Sequence, residues 1–299
     1  MNTIPEHWQV KPLAGALGAE ITGPDLTNPS QADVEAIKAL LLEHMVIFLP
    51  GQSPTIEQHI AFGRQFGELE GHPNLTAQSE LPPEIFELRA SAGGVADEWH
   101  TDLTCQDSPA LMSILHMVTC PDSGGDTLWT NLGAAYDDLS APLQQMCEGL
   151  SALHDAHAHG HPEKTAIHPV VRVHPETGRK ALYVNEHFTR RIVEMSPTES
   201  DALLDLLTRW VQNPRFTVRY RWTPGTIALW DNRITQHFVL NDFVGERIIQ
   251  RVTVMGDSVE PVQALPWQPW LFREGRLSAT SRHDRQLYLH YQARNLLPE

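Results

Sequence analysis

Between residues 111 and 256 the chain is a succession of short apolar, β-branched runs broken by Gly, Pro, Asn and Asp, and this punctuation constrains the fold most. "LMSILHMVTC" (111–120) reads as a buried strand and "PDSGGDTLWTN" (121–131) as a glycine turn into another. "HPVVRVH", "KALYVN", "FTVRYRW", "TIALWDN" and "ERIIQRVTVMG" (246–256) continue the series. Helical periodicity is confined to "SQADVEAIKALLLEHM" (30–45), with an N-cap serine, "TIEQHIAFGRQFG" (55–67), closed by Gly67, "LGAAYDDL", "APLQQMCEGLSAL" and "TESDALLDLLTRWVQN" (198–213). Near the start, "VKPLAGALGAEITGPDL" (10–26) predicts a strand or hairpin, and "VIFLP" (46–50) a short buried strand. The expected class is therefore mainly β with flanking helices, a β-sandwich or jelly roll.

Two polar stretches interrupt this pattern. Residues 73–98 hold Pro and Gly around one strand-like piece, "EIFELRA", and residues 154–169 read "HDAHAHGHPEKTAIHP". Both are expected to be loops that act as lids over a site. One domain over 1–257 accounts for the core. The tail 258–299, with "PVQALPWQPWLF" and a helical pattern in "SRHDRQLYLHYQARNLL", is expected to pack on that core or on an oligomer partner.

Composition narrows the function. A net charge of −15 with no Lys/Arg stripe excludes a nucleic-acid partner, because the phosphate backbone would be repelled. No apolar run approaches the ~20 residues that cross a bilayer, so no membrane partner is expected. "MNTIPEHWQV" lacks the basic and apolar regions of a signal peptide. Cys105, Cys120 and Cys147 are never spaced C-x-x-C, which fits a reducing, cytoplasmic setting.

The chemistry starts in "DEWHTDLTCQD" (97–107). On an extended chain residues i and i+2 point the same way, so His100 and Asp102 project into one space while Thr101 faces away. The best third ligand is His237 in "LWDNRITQHFVLNDF", remote in sequence as ligands on neighbouring strands should be. Two histidines and one carboxylate form the facial triad of non-haem Fe(II) oxygenases, which leaves coordination positions open for a co-substrate and O2. A 2-oxo acid that supplies electrons would bring a distal carboxylate, and "ERIIQRVTV" offers Arg247 and Arg251 on one side of a strand to hold anions.

Five ordered motifs, "WHTD", "PDSGGDTLWTN", "HPVVRVHPETGRKALYVNEHFTRRI", "WDNRITQH" and "ERIIQRVTVMGD", resemble those of the taurine dioxygenase (TauD/TfdA) family from about Val10 to Asp257. The resemblance implies a double-stranded β-helix, the cupin-like jelly roll, and an Fe(II)- and 2-oxoglutarate-dependent dioxygenase that uses O2. It implies His100, Asp102 and His237 as iron ligands, with no catalytic residue beyond that centre. Thr127 and Arg247 match the groups that hold 2-oxoglutarate. His72, Arg251 and Phe188 match substrate contacts. Leu75 and Ala96 stand where the taurine enzyme carries a tyrosine and an asparagine that read taurine's amine. The expected substrate is a small organic anion with an apolar body: an alkyl or aryl sulfonate, a sulfate ester, or an aryloxyalkanoate. A homodimer or homotetramer is expected.

Simpler readings exist for each residue. His100 and Asp102 could be a surface pair, Arg251 could pair with Glu246 or Asp257, and Phe188 could be plain core. His72 could cap a turn, and Thr127 could merely pair across strands. The cluster His154, His157, His159 and His161 suggests a second metal site, although a solvated histidine-rich loop is the commoner outcome. Asp102 argues against a halogenase, which needs a small residue there. A zinc hydrolase or a non-catalytic jelly-roll binding protein are the rivals of another class.

Overall fold

A computed structural model describes residues 4–71, 81–90, 96–273 and 282–297. The chain forms two compact units. One comprises Met1–Asp102, Ala110–Asn131 and Pro214–Asp257, the other Leu103–Pro109, Leu132–Asn213 and Ser258–Glu299. Among the described residues no helix is long and apolar enough to cross a membrane.

The first unit carries a seven-stranded sheet. Its order is β1 (Gln9–Pro12), β2 (Ala19–Thr22), β3 (Val46–Leu49), β13 (Ile227–Asp231), β5 (Ala110–Thr119), β15 (Ile248–Met255) and β4 (Phe86–Arg89). Neighbours are antiparallel except β2 and β3. A smaller sheet has the order β12 (Thr217–Tyr220), β6 (Thr127–Asn131) and β14 (Thr235–Val239).

Alternation along β3 shows how the layers stack. Ile47 and Leu49 face a core shared with Ile114, Leu229, Val252 and Val254, and Val34, Ile37, Leu40 and Leu41 of helix α1 (Gln31–His44) cover it. Phe48 points the other way, flat on Tyr220 of β12 at 3.7 Å and edge-on to Trp129 of β6 at 5.2 Å. Strand β13 is buried along its whole length. Two sheets face each other across an aromatic layer, the arrangement a jelly roll needs.

Helix α1 begins where the sequence predicts, at Ser30, whose hydroxyl accepts from the Asp33 amide while Asp33 caps Ser30 in return. Helix α2 (Ile56–Gly63) is shorter than the expected 55–67. Its last turn tightens into i→i−3 bonds from Gln65 to Phe62 and from Phe66 to Gly63.

The second unit contains helices α3 (Leu132–Asp137), α4 (Ala141–Glu148), α5 (Pro197–Val211) and α6 (Arg282–Ala293). Its sheets are β11 (Thr189–Ile192), β7 (Ser151–Ala156) and β8 (His161–Pro169), in that order, and the pair β10 (Lys180–Leu182) and β9 (Val171–Val173). Here the sequence reading needs correction. Residues 154–169 are not a loop but most of an antiparallel hairpin, Leu153 opposite Ile167, turning through Gly160 at φ 76°. The stretch "LSAL" does not extend α4. It starts β7, where the Ser151 amide donates to the Glu194 carboxylate at 2.8 Å. From the tail, Leu271 and Leu287 pack against Leu153 and Val193, and Arg191 pairs with Asp284 in a nearly dry setting.

Candidate active site

Pairing of backbones brings the two expected histidine ligands together. The His100 N–H donates to the His237 carbonyl at 3.1 Å and the His237 N–H returns the bond to His100 at 2.8 Å. Residues paired in this way carry their side chains on one face as neighbours. The imidazole centroids lie 4.0 Å apart. Thr101 faces away, as its position predicts, and donates to the Thr235 carbonyl. Asp102 Oδ1 lies 3.8 Å from His100 Nε2. One donor atom from each of His100, Asp102 and His237 falls within 4.8 Å of the others, the single such grouping of three or more potential metal donors among the described residues.

The protonation states suit a cation. His100 Nδ1 lies 2.7 Å from the Glu98 carbonyl, which can only accept, so the proton sits on Nδ1 and Nε2 presents its lone pair. Burial acts to raise the Asp102 pKa, but its neighbours, the Arg251 charge foremost and the Ser113 hydroxyl among them, hold the carboxyl well below the usual range. All three residues are less than a tenth exposed. Two imidazoles and an ionised carboxylate on one face, shielded from bulk water, are the donor set that ferrous iron takes in this arrangement.

Sequence reasoning did not anticipate how Asp102 is held. Its Oδ2 accepts from the Ser113 hydroxyl at 2.7 Å. Ser113 Oγ in turn accepts from Asn232 Nδ2 at 3.0 Å. Asn232 Oδ1 accepts from the Asp102 amide at 3.3 Å and from Trp230 Nε1 at 3.1 Å. The available signal was a lone hydroxyl inside the apolar run "LMSILHMV", together with the asparagine of "WDNRITQH".

Arg247 immediately precedes β15 and Arg251 lies within it, so both reach the same cleft. Arg247 is 2% exposed. Its Nε donates to the Gly125 carbonyl at 3.2 Å and Nη2 to Thr127 Oγ1 at 3.5 Å. Burial pushes its pKa down to about 10, which still leaves it charged at neutral pH, and no carboxylate pairs with it among the described residues. Thr127 Oγ1 also accepts from Trp222 Nε1. Arg251 pairs with neither Glu246 nor Asp257. Its Nη1 donates to Asp102 Oδ1 at 2.8 Å and its guanidinium lies over the Phe86 ring, while the buried Nε has no hydrogen-bond partner. Leu88, Leu115, Val239, Ile249 and the Trp129 and Trp230 rings complete the walls, with Ala96.

His72 and Leu75 fall outside the described residues. Phe188 belongs to the second unit, buried with Cys105 and Ala156. Of the histidine cluster, His154 is fully buried and bonded through Nδ1 to Thr104 Oγ1 at 3.0 Å, whereas His157 and His159 are exposed.

Comparison with known proteins fits this geometry. Residues 9–253 match the profile of the taurine catabolism dioxygenase TauD, TfdA family. The chain belongs to this family. It is 37% identical over 296 residues to an alpha-ketoglutarate-dependent sulfate ester dioxygenase of Pseudomonas putida, covering 91% of this chain and 94% of that one. It is 36% identical over 280 residues to an alkylsulfatase of Acinetobacter baylyi, covering 84% and 86%. The crystal structure of a taurine dioxygenase from Burkholderia xenovorans aligns with a TM-score of 0.78 at 42% identity, over 85% of this chain and 91% of that one. This member of the TauD/TfdA family is thus an alpha-ketoglutarate-dependent dioxygenase with a jelly-roll fold and an H-x-D…H metal site. The zinc-hydrolase and binding-protein readings fall away.

Proposed function

We propose that this dioxygenase hydroxylates a small organic anion with an apolar body at a carbon next to a heteroatom, with alkyl sulfate esters and sulfonates as its substrate class. The observation that carries the reading is Arg251, a guanidinium with an unpartnered buried Nε in a cleft otherwise walled by Phe86, Leu115, Val239 and Ile249. A donor left unsatisfied in a dry setting favours an incoming acceptor, and the apolar walls favour a hydrocarbon attached to it. The sulfate-ester chemistry named for the Pseudomonas and Acinetobacter relatives supports the same class. On sequence resemblance alone, His72, Leu75 and Phe188 join the substrate contacts.

The chain's own groups divide the work. His100 Nε2, Asp102 and His237 would hold ferrous iron. Bound there, the iron would couple oxidative decarboxylation of 2-oxoglutarate by O2, giving succinate and CO2, to insertion of the second oxygen atom into a substrate C–H bond. Arg247 and Thr127 hold the distal carboxylate of 2-oxoglutarate; the buried Arg247 charge gains in that anion the partner it otherwise lacks. Arg251 orients the substrate anion so that one C–H is presented, and the tryptophan and aliphatic walls keep water away. With a sulfate ester, hydroxylation of the carbon bearing the ester oxygen gives a hemiacetal sulfate. Its C–O bond breaks as the hydroxyl proton leaves, yielding an aldehyde and sulfate.

The test is a panel of alkyl sulfates, alkyl and aryl sulfonates and aryloxyalkanoates, scored by succinate release with and without O2. Succinate and sulfate or sulfite released in equal amounts with the first two groups is the expected result. Turnover of aryloxyalkanoates alone would overturn the substrate class while leaving the reaction type intact.

A further inference from the structure

The three-ligand centre works only if its carboxylate occupies one coordination position. A carboxylate can grip a cation through one oxygen or through both, and the second mode would consume a position that a chelating 2-oxo acid needs. Nothing in the histidine–aspartate spacing prevents the second mode. The surroundings of Asp102 do. Oδ1 is the oxygen on the histidine side, 3.8 Å from His100 Nε2, whereas Oδ2 is tied at 2.7 Å to the Ser113 hydroxyl.

That hydroxyl has one proton, and its direction is set by its other neighbour. Asn232 Nδ2 is a donor, so Ser113 Oγ accepts there and must spend its proton on Asp102. The amide orientation of Asn232 is fixed in turn by two donors that converge on its Oδ1, the Asp102 amide and Trp230 Nε1. Ser113, Asn232 and Trp230 are all nearly inaccessible to water, so solvent does not compete for these bonds. Arg251 on Oδ1 takes one of that oxygen's two lone-pair directions and leaves the other free.

We propose that Ser113, directed by Asn232, is a positioning residue that keeps Asp102 coordinating through Oδ1 alone and so preserves the position that 2-oxoglutarate chelation requires. The inference rests on the metal-site reading above.

The experiment measures two affinities on the whole protein: that of Mn(II), from the free-ion magnetic resonance signal, and that of 2-oxoglutarate for the Mn(II)-loaded protein, by calorimetry. Ser113→Ala should leave Mn(II) affinity within about threefold and weaken 2-oxoglutarate by roughly tenfold or more, the scale of outer-sphere changes at metal sites. Ser113→Thr, which restores the hydroxyl, should recover most of the loss. If Ser113→Ala does not fold, the same pair of measurements on Asn232→Ala decides, with a smaller loss of 2-oxoglutarate affinity expected because the hydroxyl remains but is undirected. Wild-type affinities in the folded variant would overturn the proposal. So would Mn(II) and 2-oxoglutarate affinities that fall in parallel with melting temperature, which marks a merely structural serine. A wild-type protein that fails to bind Mn(II) would instead overturn the metal-site reading, and the proposal with it.

Discussion

Two places in this molecule bury a pair of histidines close together, His100 with His237 and His154 with His168, and they do opposite things with them. In the first, His100 and His237 lie beside an ionised Asp102, one donor atom of each within 4.8 Å of the others. In the second, His154 and His168 stack edge to face at 5.2 Å with no acid between them. Asp155, next in sequence to His154, is taken by Arg190 at 2.7 Å. His168 Nε2 donates to the Thr104 and Gln106 carbonyls, and Thr104 Oγ1 is shared by His154 and Asn185. The lesson is that a carboxylate among the imidazoles, rather than histidine density, marks the cation site. Imidazoles buried without an acid are held neutral and serve as hydrogen-bonding struts.

The largest test of this contrast is Asp102→Ala, which should abolish both Mn(II) binding and 2-oxoglutarate-dependent succinate formation; retained turnover would remove Asp102 from the ligand set. Next comes Arg247→Ala. Losing the cation that faces a buried carboxylate costs about 3 kcal/mol, so 2-oxoglutarate affinity should fall roughly 100-fold with Mn(II) affinity unchanged. A smaller and more selective effect is expected at Arg251→Ala, with substrate KM raised about tenfold or more and 2-oxoglutarate affinity within about threefold. Equal losses of both would reassign that arginine.

At the second cluster the expected change is in stability alone. His168→Phe leaves the Thr104 and Gln106 carbonyls without that donor and should cost about 2 kcal/mol on denaturant unfolding, with wild-type Mn(II) affinity. Acid should act on the same group. Burial lowers His168, and likewise His59 in the first unit, to about 4, from the ordinary 6.5. Between those values the unfolded chain binds protons that the folded chain refuses, so stability falls as pH falls through the window. A drop in melting temperature of roughly 10 °C from pH 7 to pH 5 follows, and His168→Phe should flatten part of it. Asp102, shifted in the depressed direction, contributes stability above the ordinary carboxylate value that is lost only at more acid pH.

What could be read in advance depended on how local its physics is. The i, i+2 spacing of His100 and Asp102 and the i, i+4 spacing of the two arginines declare a shared face on any extended chain, and the structure places them so. The N-cap of α1 was visible in Ser30 and Asp33 for the same reason. The β7–β8 hairpin was hidden because its polar composition mimics a loop. Only the folded structure shows Thr104 and Thr189 converging on His154 Nδ1, with Asn185 donating to Thr104. Ser113 and Asn232 were hidden for another reason: they act on a side chain distant in sequence, through bonds that no periodicity records.

One ion pair has a thermodynamic consequence. Because Arg251 donates to Asp102 Oδ1, a metal held by that oxygen, as proposed above, would be the guanidinium's neighbour on a single atom. Occupancy at either one would therefore alter the free energy of filling the other, and linkage would make the two effects equal: whatever factor an anion on Arg251 applied to metal affinity, the metal would apply to that anion.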